Sequence, residues 1–117
     1  MSAETDFRAV LASYAPLTAL VGTRIAQNAV PQGASLPYVA FTATHTPEYG
    51  IDNTLHADLV MFSVECWAES ATSADAVAAQ VQAALLAEGV VCTASGGTYD
   101  PEQGLDATAL QAEWWVT

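Results

Sequence analysis

The thirteen residues from His56 to Ala68 alternate in a way that commits this chain to a sheet. Val60, Phe62, Val64 and Cys66 fall on one side, and Leu59, Met61, Ser63, Glu65 and Trp67 on the other, because successive side chains of a strand point to opposite faces. The first set is apolar throughout and belongs in a core. The second is half apolar, so something other than water alone is expected to cover it. A strand of this kind needs partner strands and a covering layer.

Two partners are legible. Tyr38 to Thr44 sends Tyr38, Ala40, Thr42 and Thr44 one way and Val39, Phe41 and Ala43 the other. Thr108 to Val116 sends Leu110, Ala112, Trp114 and Val116 toward the core and Gln111, Glu113 and Trp115 outward. Arg24 to Ala26 and Val90 to Thr93 read as short strands. Residues 45–55 and 94–104 read as two long loops, since Pro47, Gly50, Asp52 and Asn53 in one, and Gly96, Gly97, Pro101 and Gly104 in the other, are turn residues. Loops of that length tend to carry function.

The covering layer is helical. Phe7, Val10, Leu11 and Tyr14 repeat at helical spacing within residues 3–15. Ser2 is a candidate cap, and Glu4 and Asp6 suit the positive end of the helix dipole. Pro16 breaks the pattern, Leu17 to Val21 makes a short second turn, and Gly22 stops it. From Thr72 to Glu88 the stripe is Ala74, Val77, Ala78, Val81, Ala84 and Leu85, with Thr72 and Asp75 as a capping box and Gly89 as the stop. The sum is one α+β domain over residues 1–117. It has a mostly antiparallel sheet of four to five strands, with two main helices packed on one face. The other face would present Trp67, Trp115, Met61 and Leu59, a patch of the kind that marks an interface.

Charge narrows the partners. Thirteen acids face only two cations, Arg8 and Arg24, for a net charge of −11. Charged residues make up 13% of the chain against roughly 25% in ordinary domains. Phosphate backbones and anionic leaflets both require cations, so neither binds tightly here. Such a surface serves solubility or salt adaptation, or lets DNA pass without sticking. Each arginine is expected to pair with a carboxylate, Arg24 within the domain or, alternatively, across a subunit boundary. No signal-like N-terminus and no apolar run of about 18 residues is present.

Catalytic constellations are missing. Cys66 and Cys92 sit in apolar stretches without CxxC spacing and read as core thiols, a disulfide being the alternative. His45 and His56 flank the first loop, where Asp52 or Asp58 could complete a metal site. Two polar loop ends explain them as well. Asp100, Glu102 and Asp106 lack calcium-loop spacing and read as a solvated acidic loop.

One resemblance spans nearly the whole chain. It rests on a helix ending in Leu20-Val21-Gly22, then Arg24-Ile25, the loop Pro31-Gln32-Gly33 with Leu36-Pro37-Tyr38-Val39, and a strand ending in Cys66-Trp67. The helix Ser73-Ala74-Asp75-Ala76-Val77-Ala78-Ala79 and a closing strand with Trp114-Trp115 follow. In this order the elements resemble bacteriophage tail completion proteins, or tail terminators. The resemblance implies a structural virion protein that is not an enzyme and needs no cofactor. It implies a homo-oligomeric ring, hexameric in many members, that caps the head-proximal end of the tail tube, stops its growth and joins the head. Partners would be further copies, the tail tube protein and head–tail connector proteins, with DNA crossing the lumen unbound and no membrane. Such a protein is assembled in the host cytoplasm and resides in the virion tail. Trp67, Trp115, Met61, Leu59 and Arg24 would serve the subunit interface. Glu48, Tyr49, Asp52, Asp100, Glu102 and Asp106 would make loop contacts or line the lumen. The alternatives are another joining ring, a connector or stopper, or a small metal- or ligand-binding domain built on His45, His56 and an aspartate.

Overall fold

The computed structural model describes residues 3–28, 35–49, 55–102 and 104–116. Ser2, the Pro31-Gln32-Gly33 loop, Asp52 and the side chains of Glu48, Tyr49, His56, Asp58 and Val116 lie outside the described residues. The order is α1 (Ala3–Ala12), α2 (Ala15–Val21), β1 (Ile25–Gln27), β2 (Tyr38–Tyr49), β3 (Leu55–Ala68), α3 (Ala71–Ala87), β4 (Cys92–Asp100) and β5 (Leu105–Val116). The strands form one sheet in the order β1-β2-β3-β5-β4. Only β1 and β2 run parallel; the other pairs are antiparallel. This is the expected α+β architecture, with β3 at its centre.

The helical layer holds a third helix. The periodicity over residues 3–15 continues only to Ala12, and Pro16 then stands in the first turn of α2. Proline is tolerated there because the first N–H groups of a helix have no intrahelical partner. Gly22 ends α2 at φ 59°, with its N–H bonded to Thr18 O at 2.8 Å. A side chain would strain that left-handed backbone. The α3 stripe is buried as its spacing predicts, but its cap differs. Ser70, not Thr72, accepts the Ser73 N–H, at 3.2 Å. The helix begins at Ala71, so Thr72 already lies inside it, and Asp75 instead accepts the Thr108 hydroxyl at 2.6 Å.

Both expected long loops are largely strand. β2 runs to Tyr49 and β3 starts at Leu55, paired through a register shift at Glu48/Tyr49. Pro47 is compatible with this because β1 covers only Val39 to Phe41 of β2, leaving the rest a sheet edge, where a missing donor is tolerated. β4 reaches Asp100, with a bulge between Ala94 and Gly96. The loop shrinks to a turn in which Gly104, at φ 67°, donates to Asp100 O at 2.8 Å. Glycine-rich, exposed sequence reads as loop, yet β5 supplies a ladder for it.

The core forms where the helices meet the β3 face carrying Val60, Phe62, Val64 and Cys66, all fully buried. Phe7 of α1 stacks on Phe62 with ring centroids 3.9 Å apart and planes at 13°. Phe41 and Trp114 meet both rings at steeper angles. Truncating a buried phenylalanine typically costs about 3–5 kcal/mol, and losing a serine cap about 1 kcal/mol. Urea titrations of Phe7→Ala and Ser70→Ala are expected to show losses in that order and of about those sizes.

Candidate functional site

With the helices on one face, the other face of the sheet is the candidate working surface. Register places its residues in rows. Trp67 lies between Tyr38 and Ala107, Glu65 between Ala40 and Ala109, and Ser63 between Thr42 and Gln111. Met61 lies between Thr44 and Glu113, and Leu59 between Thr46 and Trp115. The expected aromatic patch is therefore two patches. Trp115 with Leu59 and Met61 marks one end and Trp67 with Tyr38 the other, with polar rows between. Leu59 and Trp67 are separated by about 26 Å at ~3.3 Å per residue. Trp115 is 53% exposed, whereas Leu59, Met61 and Trp67 are half-buried. The Tyr38 phenol is pushed up from its ordinary value by burial first, then by the negative charges of Glu65 and Asp100.

The arginines depart from expectation. Neither pairs with a carboxylate among the described residues. Arg24 Nε donates to Pro37 O at 2.9 Å and Nη2 to Leu20 O at 3.4 Å. Arg8 Nε donates to Ile25 O at 2.9 Å and Nη2 to Thr23 O at 3.5 Å. Carbonyls left over at a helix end and at a sheet edge take up these forks, with no carboxylate in ion-pair range among the described residues. Arg24 thereby ties together two walls of an open cleft of about 360 Å³, lined by Leu20, Leu36, Pro37, Ala68, Val77 and Glu69 among others. Sequence reasoning missed this cleft. Its only trace there was the apolar pair Leu20 and Leu36 flanking glycine and proline punctuation.

The acids are dispersed. Glu48 and Tyr49 close β2, Asp100 closes β4, Glu102 lies in the following turn, and Asp106 stands in β5 opposite Ala68 and Tyr99. Asp106 is thus a strand residue rather than a loop acid, and it lines a second cleft with Asp75, Tyr99 and Thr108. Of the alternative histidine site only His45 has a described side chain, those of His56, Asp52 and Asp58 lying outside the described residues. His45 is paired across the ladder with Val60, not His56, and its Nε2 meets the Glu4 carboxylate. No group of three potential metal ligands occurs among the described residues. No helix among them is long and apolar enough to cross a membrane.

The sequence pattern described as tail completion protein gp17 matches residues 5–117. The chain belongs to this tail completion family. The solved virion of a native gene transfer agent particle contains a chain of the same fold. The two share 20% identity over 92% of this chain and 88% of that one, with a TM-score of 0.75. No curated protein is a detectable sequence relative. Family membership makes the chain a structural protein of a virion tail rather than an enzyme.

The thiols of this tail completion protein suit a structural role. Both cysteines are free. Burial, with smaller contributions from Cys92 and Glu65, pushes Cys66 up to about 12, and burial pushes Cys92 to about 11. A raised thiol pKa stabilises the fold below the ordinary value of 9.0, and that stabilisation is lost as pH rises through the folded values. Alkylation at pH 8 followed by intact-mass analysis is expected to modify half-buried Cys92 first. Cys66 should react only at the rate of global unfolding.

Proposed function

We propose that the chain forms a ring, hexameric in line with the resemblance noted above, that caps the head-proximal end of a tail tube. The ring ends tube polymerisation and offers the surface to which the head-side connector proteins bind. The observation that carries this reading is the uncovered sheet face of a tail completion protein, with Trp115 exposed at one end beside Leu59 and Met61. Exposed apolar surface of this kind is used in association, and aromatic anchors dominate such interfaces. Trp67 and Tyr38 supply a second, smaller contact at the other end. Arg24 holds the Leu20–Pro37 cleft in shape through its two carbonyl bonds.

The hairpin carrying Glu48, Tyr49 and Asp52 reaches toward the tube, the connector or the lumen. A net charge of −11 per copy makes the assembled ring repel phosphates, so DNA crosses it without binding.

Negative-stain microscopy of the purified protein, alone and with tail tubes, tests the reading. Rings or capped tube ends are expected, and a strictly monomeric species that ignores tube ends overturns it. Deleting the gene separates a terminator, whose loss gives overlong tails, from a stopper, whose loss gives normal tails and leaking heads. Trp115→Ala is expected to melt near the wild type, since the side chain is half exposed. It should weaken ring assembly by about 30-fold, the equivalent of ~2 kcal/mol at a hot spot, as measured by mass photometry against concentration.

A further inference from the structure

Like charge opposes any self-assembly of this chain. Copies at −11 repel one another, and Arg8 and Arg24 are the only side chains of permanent positive charge with which a contact can offset that. Both lie at one margin of the sheet. Arg24 immediately precedes β1, the edge strand, and Arg8 reaches from α1 to the carbonyl of Ile25 within β1. Arg24 O accepts from Val39 N, and Asn28 N donates to Phe41 O, so residues 24 and 28 face β2. Ile25 therefore faces the open side, and Arg8 occupies it. With Arg8 of α1 bonded to the Ile25 carbonyl, a charged group covers the edge and opposes the addition of another strand, which favours contact through side chains at this margin. Nη1 of each arginine has no hydrogen-bond partner among the described residues.

The opposite margin is β4. It ends at Asp100 and leads into a turn with Pro101 and Glu102, where Asp100 Oδ1 accepts from the Glu102 N–H at 3.0 Å and Glu102 is exposed. Register fixes the relative height of the two margins. Ile25 pairs with Val39, Val39 with Cys66, Cys66 with Thr108 and Thr108 with Gly97. Asp100 follows Gly97 by three residues, about 10 Å along the strand. The acidic turn thus lies on the opposite side of the same sheet, about 10 Å along the strand direction from the level of Ile25.

A closed ring uses two different surfaces of each subunit, one meeting the other on the next copy. We propose that the ring closes margin to margin, with Arg8 and Arg24 of one copy seated against the Asp100–Glu102 turn of the next. This rests on the ring reading above and assigns Asp100 and Glu102 to the subunit contact, not to the lumen. An arginine fork makes its strongest bonds with a carboxylate, and the turn presents two.

The test exploits opposite signs. Glu102→Arg and Glu88→Arg change the net charge equally, and both positions are exposed. The Glu102 backbone bond to Asp100 does not involve the altered side chain. If general repulsion alone limits assembly, both variants form rings at lower concentration than the wild type. The margin contact requires Glu88→Arg to assemble at least as well as the wild type and Glu102→Arg to need at least tenfold higher concentration, read by mass photometry. Wild-type rings together with a Glu102→Arg variant that matches Glu88→Arg overturn the contact and leave the ring standing. A wild-type chain that forms no ring, alone or on tail tubes, overturns both.

Discussion

Phe7 against Phe62 is the contact on which the rest of the structure depends. The first ring comes from α1 and the second from the central strand, and Phe41 and Trp114 close around them from β2 and β5. Aromatic rings bury large areas and pair with defined geometry, so four rings fix where α1 lies on three neighbouring strands. Alanine dominates much of α3, and alanine contributes little area. The aromatic cluster supplies the positional information that the small residues lack. All three helices pack on the side where these rings sit, which leaves the opposite sheet face uncovered and available for assembly.

Cations are scarce here, and their placement shows what the fold needs first. Both arginines bond to backbone carbonyls around α2, β1 and the approach to β2. A carbonyl left unpaired near a helix end or a sheet edge is costly when water is partly excluded. Guanidinium, with several donors in a fixed fork, satisfies two of them at once. The expectation of ion pairs arose from counting thirteen acids against two bases. Distance within the fold overrode the count, since the acids are spread along strand ends, turns and helix surfaces.

The strands of the core and the α3 stripe were legible because their periodicity is a local property of the chain. Val60, Phe62, Val64 and Cys66 in β3, and Val77, Val81 and Leu85 in α3, sit where spacing places them. Residues 45–49 and 94–100 were misread as loop because Pro47 and the Gly96-Gly97 pair carry weak strand preference. Pairing with β3 and β5 outweighed that preference. The cap of α3 was misplaced by two residues, since Ser70 and Thr72 are chemically alike and only the start of the helix selects between them. At the candidate site, the facing of Trp67 and Trp115 followed from alternation. Their separation into two patches followed from where β3 and β5 place them along the sheet.

By itself, the sequence determined the α+β class, the central strand, the core-facing residues and the acidic surface, because alternation, helical spacing and charge are written residue by residue. Its order of elements also carried the tail completion family. The tertiary structure decided strand order, the length of the hairpins, the arginine partners, the cleft between Leu20 and Pro37, and the opposition of a cationic β1 margin to an acidic β4 end. Each of these depends on which distant residues become neighbours, and pairing across a sheet sets that through register rather than through any local pattern.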